Sequence, residues 1–202
     1  MPTETPRKQQ PVKGTLLALR HDSPRTKKGA GSSIFVFQYN PDKLIRTFGF
    51  LNQDSSPTAD SEAPNTPGSP IELIYLKLEL DVADQADGKS EASTSAEVGL
   101  HPSLATLELM MQPEVGEKGE YSAPVLLFSW GAKRTIPVAL VSMKISEETF
   151  DITLNPTRAT VDICLRTLQP SELKKNSAAQ AAYQKRQVLR STLASLYKQP
   201  TE

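Results

Sequence analysis

The chain has 202 residues, 38% of them hydrophobic, with 16 prolines and with 23 basic side chains matched by 23 acidic ones. That length supports one good core, or a core with a tail, and the proline content points to a β-rich domain with irregular loops rather than a compact enzyme. The single Cys164 excludes an internal disulfide, no apolar run is long enough to span a bilayer, and the first residues lack the apolar centre of a signal peptide, so the expectation is a chain made in the cytoplasm without direct membrane insertion.

In chain order, residues 1–11 have no period and read as a mobile arm. Gly14–Arg20 is a short first strand, and residues 21–32 are turn chemistry, with Ser-Pro and two glycines. In Ser33–Tyr39, Phe35, Phe37 and Tyr39 share one face while Ile34 and Val36 share the other; two apolar faces predict a central strand. Asn40-Pro41-Asp42 turns the chain into a further strand over Lys43–Phe50. Asn52–Pro70 is too polar to bury and reads as a loop. Ile71–Val82 alternates Tyr75, Lys77 and Glu79 with Leu76, Leu78 and Leu80, which predicts a long strand, and Ala83–Val98 is a second solvated loop. His101-Pro102-Ser103 starts a helix whose apolar face, Leu104, Leu107, Met110 and Met111, is suited to packing on a sheet. Residues 112–122 form an acidic loop.

Pro124–Leu168 is the stretch around which the rest is organised. It reads as four strands. Val125–Trp130 is an apolar run closed by Gly131. Ile136, Val138, Leu140 and Val141 lead into strict alternation, with Met143 and Ile145 opposite Ser142, Lys144 and Ser146. Phe150, Ile152 and Leu154 then alternate with Thr149, Asp151 and Thr153. After an Asn155-Pro156 turn, Ala159, Val161, Ile163 and Leu165 alternate with Thr160, Asp162, Cys164 and Arg166. A two-residue period held across short turns predicts a half-buried antiparallel meander. Pro170-Ser171-Glu172 then opens a C-terminal amphipathic helix. Ala182, Leu189, Leu193 and Leu196 make its apolar stripe, and Lys174, Lys175, Lys185, Arg186 and Arg190 fill much of the rest. Such a helix needs a surface, either on its own domain or on a neighbouring subunit.

Chemistry is sparse. His21 and His101 have no metal-binding partners at suitable spacing, no G-x-S-x-G elbow exists, and Lys27–Ser33 lacks the glycine spacing of a phosphate loop. Glu147 and Glu148 are neighbours on a strand and point to opposite faces. The expectation is therefore no enzyme, no cofactor and no metal. The basic ends, without interleaved aromatics and beside an acidic middle, argue against nucleic acid. Residues 1–28 hold Arg7, Lys8, Lys13, Arg20, Arg25, Lys27 and Lys28, whereas residues 50–122 are strongly acidic. Solvated loops explain this segregation, and so does head-to-tail stacking of similar rings.

Several of these segments together resemble a known family. Pro124–Lys133 (PVLLFSWGAK), a strand following it, Glu148–Asp151, and Asn155–Ile163 (NPTRATVDI) are similar to the P-x-x-x-F-x-W-G … F … P-x-R-A core of the contractile injection system tube-protein N-terminal domain, the domain of baseplate tube adaptors in phage-tail-like particles. Phe37–Leu44 (FQYNPDKL) is similar to the family's opening, and Leu76–Asp81 to its L-x-L-x-L-D strand. The resemblance covers roughly residues 15–169. Two departures stand out: Leu154-Asn155 occupies the place where the family often has a glycine, and a short helical stretch follows where many relatives carry a LysM module.

The fold expected is mainly β (α+β), an antiparallel barrel or sandwich of tube-protein type with one packed helix and a C-terminal helix. Residues 1–12 are the arm, 13–169 the tube-like β domain with long loops 52–70 and 83–98, and 170–202 the C-terminal helix. The resemblance implies a hexameric ring of identical copies that binds tube, hub and spike proteins of the particle, links the tube to the hub-spike and templates tube assembly. It would be assembled in the cytoplasm and then become part of the particle. The alternative is a β module that binds peptidoglycan or carbohydrate, against which the shortage of aromatics counts. Candidate interface residues are Asn40 and Pro41, Trp130, Arg158, and Lys185, Arg186, Leu189, Arg190, Leu193 and Leu196 of the helix. Trp130 either anchors a partner or closes the end of the barrel. Arg158 starts the final strand in the family and is expected to pair with an acid such as Glu148 or Asp151.

Overall fold

The computed structural model describes residues 12–19, 33–50, 70–83, 98–115, 119, 121–174 and 176–197. The arm, the turn segment at 21–32 and nearly all of the two long loops lie outside the described residues, except for a few positions at their borders. Among the described residues, nine strands and two helices follow in the order β1 (Thr15–Leu19), β2 (Ile34–Val36), β3 (Leu44–Gly49), β4 (Ile71–Asp81), α1 (His101–Leu109), β5 (Glu114–Val115), β6 (Tyr121–Ser122), β7 (Val125–Ser129), β8 (Thr135–Phe150), β9 (Pro156–Thr167) and α2 (Ser177–Ser195). Seven strands form one antiparallel sheet in the order β2-β1-β7-β8-β9-β4-β3, and β5 pairs only with β6.

The fold is mainly β, with one packed helix and one C-terminal helix. The sheet is not closed into a barrel, which corrects that part of the expectation: among the described residues β2 and β3 are free edges. It is rolled all the same. β2 and β3 are consecutive in sequence yet sit at opposite edges. A flat seven-stranded sheet would set its edges about 29 Å apart. The segment from Phe37 to Lys43, which contains bends, joins them. At its start the Gln38 side chain bridges the gap: its Nε2 donates to Asp81 O at 2.6 Å and its Oε1 accepts from Asp81 N at 2.9 Å. One amide thus does at the seam what a strand ladder would do in a barrel.

The inner face of the roll is the core. Leu16, Phe35, Phe37, Leu126, Phe128, Ile136 and Val138 meet Ile74, Leu76, Leu78, Leu80, Val161, Ile163 and Leu165 in one cluster. Helix α1 plugs it with Leu104, Leu107 and Met110, as the helical spacing predicts, whereas Met111 turns outward. Gly99 anchors the start of this helix. Its φ is +58°, a Cβ there would lie 2.5 Å from Pro156 O, and the next residue, Leu100, donates its N–H to that same oxygen at 2.8 Å.

Two sequence expectations need correction. Ser33–Tyr39 is not a central strand. Only Ile34–Val36 pairs, at an edge, with Ile34 and Val36 56% and 50% exposed, and the chain leaves the ladder at Phe37. The meander has three strands rather than four. β8 runs unbroken through Phe150 because register shifts at Leu140/Ser142 and Glu147/Thr149 absorb extra residues without ending the strand. The first shift leaves Val141 in solvent and lets Leu140 and Met143 both reach the core. Residues 151–154, read as strand, form the turn together with Asn155, and Pro156, read as part of the turn, begins β9.

A smaller cluster of Val125, Ala139, Leu168, Leu173 and Ala179, with Leu19 and Tyr183 against it, seats the start of α2. This helix does not open at Pro170. Residues 170–174 are a turn tied back by Glu172, which accepts from Arg166 and from Gln169 N. Asn176, whose Oδ1 accepts from Ala179 N at 3.0 Å, is the N-cap.

Candidate assembly surfaces

Two of the segments that carry the family resemblance, Phe37–Leu44 and Pro124–Lys133, far apart in sequence, meet at one end of the roll. The Phe37 ring lies 6.3 Å from Phe128 and 6.2 Å from Trp130, and Phe128 and Trp130 are 6.1 Å apart. Tilted rings at these separations attract beyond their buried area. Gly14 lies under them: a Cβ there would come within 2.5 Å of Phe37 and 2.9 Å of Trp130. Asn40 fixes this approach, since its Oδ1 accepts from Gly14 N and its Nδ2 donates to Val12 O, both at 2.8 Å. Asn40 is thus an internal staple, with half-buried Pro41 following it in the crossing segment. Trp130 is half-buried and closes the end of the roll.

Arg158 pairs with neither Glu148 nor Asp151. Its Nε and Nη2 donate to Asp81 Oδ2 at 3.0 and 2.7 Å, which holds the Asp81 carboxyl below its usual value. The cross-strand register explains this choice, because Asp81 stands directly opposite Arg158. Glu148 instead accepts from Thr160 Oγ1.

Asp151 organises the β8–β9 turn. Its carboxylate accepts from Thr153 N at 2.8 Å, Thr153 Oγ1 at 2.7 Å, Asn155 N at 2.9 Å and Asn155 Nδ2 at 3.0 Å. These bonds, led by that from the Thr153 side chain, lower its pKa to about 2. The D-x-T-x-N pattern was the available sequence signal for this Asx-type turn. Leu154, at the place where the family often has glycine, adopts φ +64°. A left-handed backbone costs a leucine about 1–2 kcal/mol relative to the right-handed form. Among the described residues no packing offsets that strain, for Leu154 is 77% and Ile152 fully exposed.

On α2 the basic residues divide. Arg186 bonds Glu72 Oε2, Arg46 bonds Glu72 Oε1 from the other side, and Arg190 Nη2 stands 3.6 Å from Oε2. Glu72 is 3% exposed. Burial pushes its carboxyl up, but the hydrogen bond from Arg46 and the charge and hydrogen bond of Arg186 outweigh burial and hold it below 4.5. Lys185 is exposed. The acid that faces Arg186 and Arg190 is therefore supplied by the chain's own β4. Sequence reasoning missed Glu72, although its position signals it: it shares parity with Ile74, Leu76, Leu78 and Leu80, so an acid stands on the apolar side of the strand. Leu189 is half-buried, while Leu193 is 42% and Leu196 68% exposed, so the outer end of the stripe has no cover among the described residues.

The outer face of the sheet carries a shallow groove of about 340 Å³ across β3, β4, β9 and β8. Ile45, Tyr75, Cys164 and Ser142 stand in one cross-strand row, and Lys77, Asp162 and Lys144 in the next. Lys43 completes the rim. Among the described residues no three His, Cys, Asp or Glu side chains gather as a metal site requires, and no helix is long and apolar enough to cross a membrane. No family model matches the chain, and no curated protein does.

Proposed function

We propose that this chain is a structural component of a contractile injection particle, a ring-forming adaptor that joins the inner tube to the hub-spike and templates tube assembly. The observation that carries this reading is the convergence of Phe37, Asn40, Phe128 and Trp130. Two segments of the motif, Phe37–Leu44 and Pro124–Lys133, read as separate pieces in the sequence, build one aromatic end of one rolled sheet. Edges at β2 and β3 that are free among the described residues, with exposed Ile34, Val36, Ile45 and Phe48, also favour a protein that pairs with further copies or partners. In this reading the work is geometric. The ring closes, one face meets hub and spike, the other starts the tube, and interface burial drives each step without a cofactor or catalysis. Assembly takes place in the cytoplasm, without nucleic acid or membrane insertion.

Negative-stain imaging of the purified chain with its tube and hub proteins is expected to show six-fold rings. A chain that stays monomeric while those proteins assemble would sink the reading.

A further inference from the structure

We propose that the β8–β9 turn of one copy seats in the outer groove of a second copy, with Ile152 and Leu154 covering the apolar floor around Ile45 and Tyr75. This contact rests on the self-assembling reading above and specifies how two copies meet.

The turn is built like a knob. Asp151 braces it from within through four hydrogen bonds, and Thr149 Oγ1 and Thr157 Oγ1 join across its base at 2.8 Å. It therefore presents its two apolar side chains in a fixed arrangement. Leucine is a poor residue for a left-handed position in solvent, where glycine would carry no strain. The side chain that makes the position strained is also the one that points away from its own core. A contact outside the chain accounts for both facts.

The groove is the matching surface. Its floor is apolar, and its rim holds Lys43, Lys77 and Lys144 against the single acid Asp162. The end of the hairpin has the opposite sign, with Glu147, Glu148 and Asp151, while its one arginine, Arg158, is already engaged by Asp81. Opposite signs on knob and rim favour this pairing and disfavour knob against knob. The turn cannot fill the groove of its own chain. Ile152 lies beyond Ser142 along the same hairpin by roughly 30 Å of extended strand. Knob and groove are different surfaces, so a contact made once between each two copies is heterologous and repeats head to tail, as a ring requires.

Sedimentation velocity of the full chain over a concentration series, unaltered and with Leu154→Gly, tests the contact. Glycine accepts the left-handed backbone, so the variant is expected to keep its melting temperature while self-association weakens about tenfold. A chemical check uses Cys164→Ser chains, which have no other thiol. A chain carrying Ile152→Cys is expected to form a disulfide with a chain carrying Ile45→Cys, and not with one carrying Val36→Cys at the β2 edge. Equal linkage at both places, no linkage, or unchanged association of Leu154→Gly overturns the proposal. Normal rings formed by Leu154→Gly would do so while leaving the ring reading intact. A chain monomeric at every concentration, with tube and hub proteins present, overturns both. Loss of a tube or hub partner from Leu154→Gly with self-association intact assigns the turn to that partner and removes it from the contact between copies.

Discussion

Helix α1 has nine residues and no side-chain N-cap hydrogen bond, and neither helix has an acid in its first turn or a base in its last. Helix α2 has nineteen residues and a well-placed Asn176 cap. By local criteria α2 is the better helix, yet α1 is the better buried. Leu104 and Leu107, with the flanking Leu100 and Met110, vanish into the roll, whereas within α2 only Ala179 is buried, in the smaller cluster. A helix in a protein is held mostly by the face it buries rather than by its own propensity. α1 is held by apolar shape. α2 is held by a small apolar seat at its start and, two turns later, by guanidiniums closing on Glu72. The two attachments should respond differently to cavities, acid and salt.

The sharpest test on the α1 side is Leu107→Ala. Leu107 is fully buried, and its truncation is expected to cost about 2–5 kcal/mol in denaturant unfolding, with no dependence on salt. A loss well below that range would mean that α1 is not part of the core. On the α2 side, Glu72→Gln leaves the guanidiniums of Arg46, Arg186 and Arg190 facing a neutral group and is expected to cost about 3 kcal/mol, the low end for breaking a buried pair because Arg190 is half in solvent. Glu72 is held below 4.5 in the fold, so its contribution is complete above that pH and disappears as the pH falls through the lower folded value. Melting curves of the unaltered chain and Glu72→Gln should accordingly converge in acid, while the deficit of Leu107→Ala persists. A constant gap down to about pH 3 would refute the ionic account of α2. Asn176→Ala is expected to cost about 1 kcal/mol in the same assay through loss of the cap. Leu193→Ala should be the mildest, within about 0.5 kcal/mol, because the side chain is 42% exposed. A larger loss from Leu193 would show that the outer half of α2 packs after all.

The same contrast explains what the sequence could and could not reveal. Periodicity is local, and it correctly marked β4, β9 and the inner face of α1, where each side chain's environment follows from its own strand or helix. It failed at β2 because Ile34 and Val36 are apolar without being covered; composition records affinity for a core, not the presence of a neighbour. It divided β8 because the register shift between Glu147 and Thr149 breaks the two-residue count without breaking the strand. The partners of Arg186 and Arg158 were out of reach for a different reason: Glu72 and Asp81 lie on a strand brought near only by the completed sheet. Similarly, no local pattern shows that Asn40 staples Gly14 or that a groove spans four strands.

The strand order also sets a timetable. β1 finds its inner ladder partner only when Val125–Ser129 exists, and β4 only when Pro156–Thr167 does. The β7–β8–β9 meander has the shortest connections in the large sheet, so it is the natural nucleus, with the β3–β4 hairpin adding to one side and β1–β2 to the other. During synthesis, therefore, the inward-facing Ile74, Leu76, Leu78 and Leu80 must leave the ribosome long before the strand that will cover their backbone, and pulsed hydrogen exchange on refolding should protect β8 and β9 ahead of β1. Between the completion of β4 at Asp81 and that of β9 at Thr167, the nascent chain carries two apolar hairpins in search of an edge, and in that interval it is most exposed to aggregation.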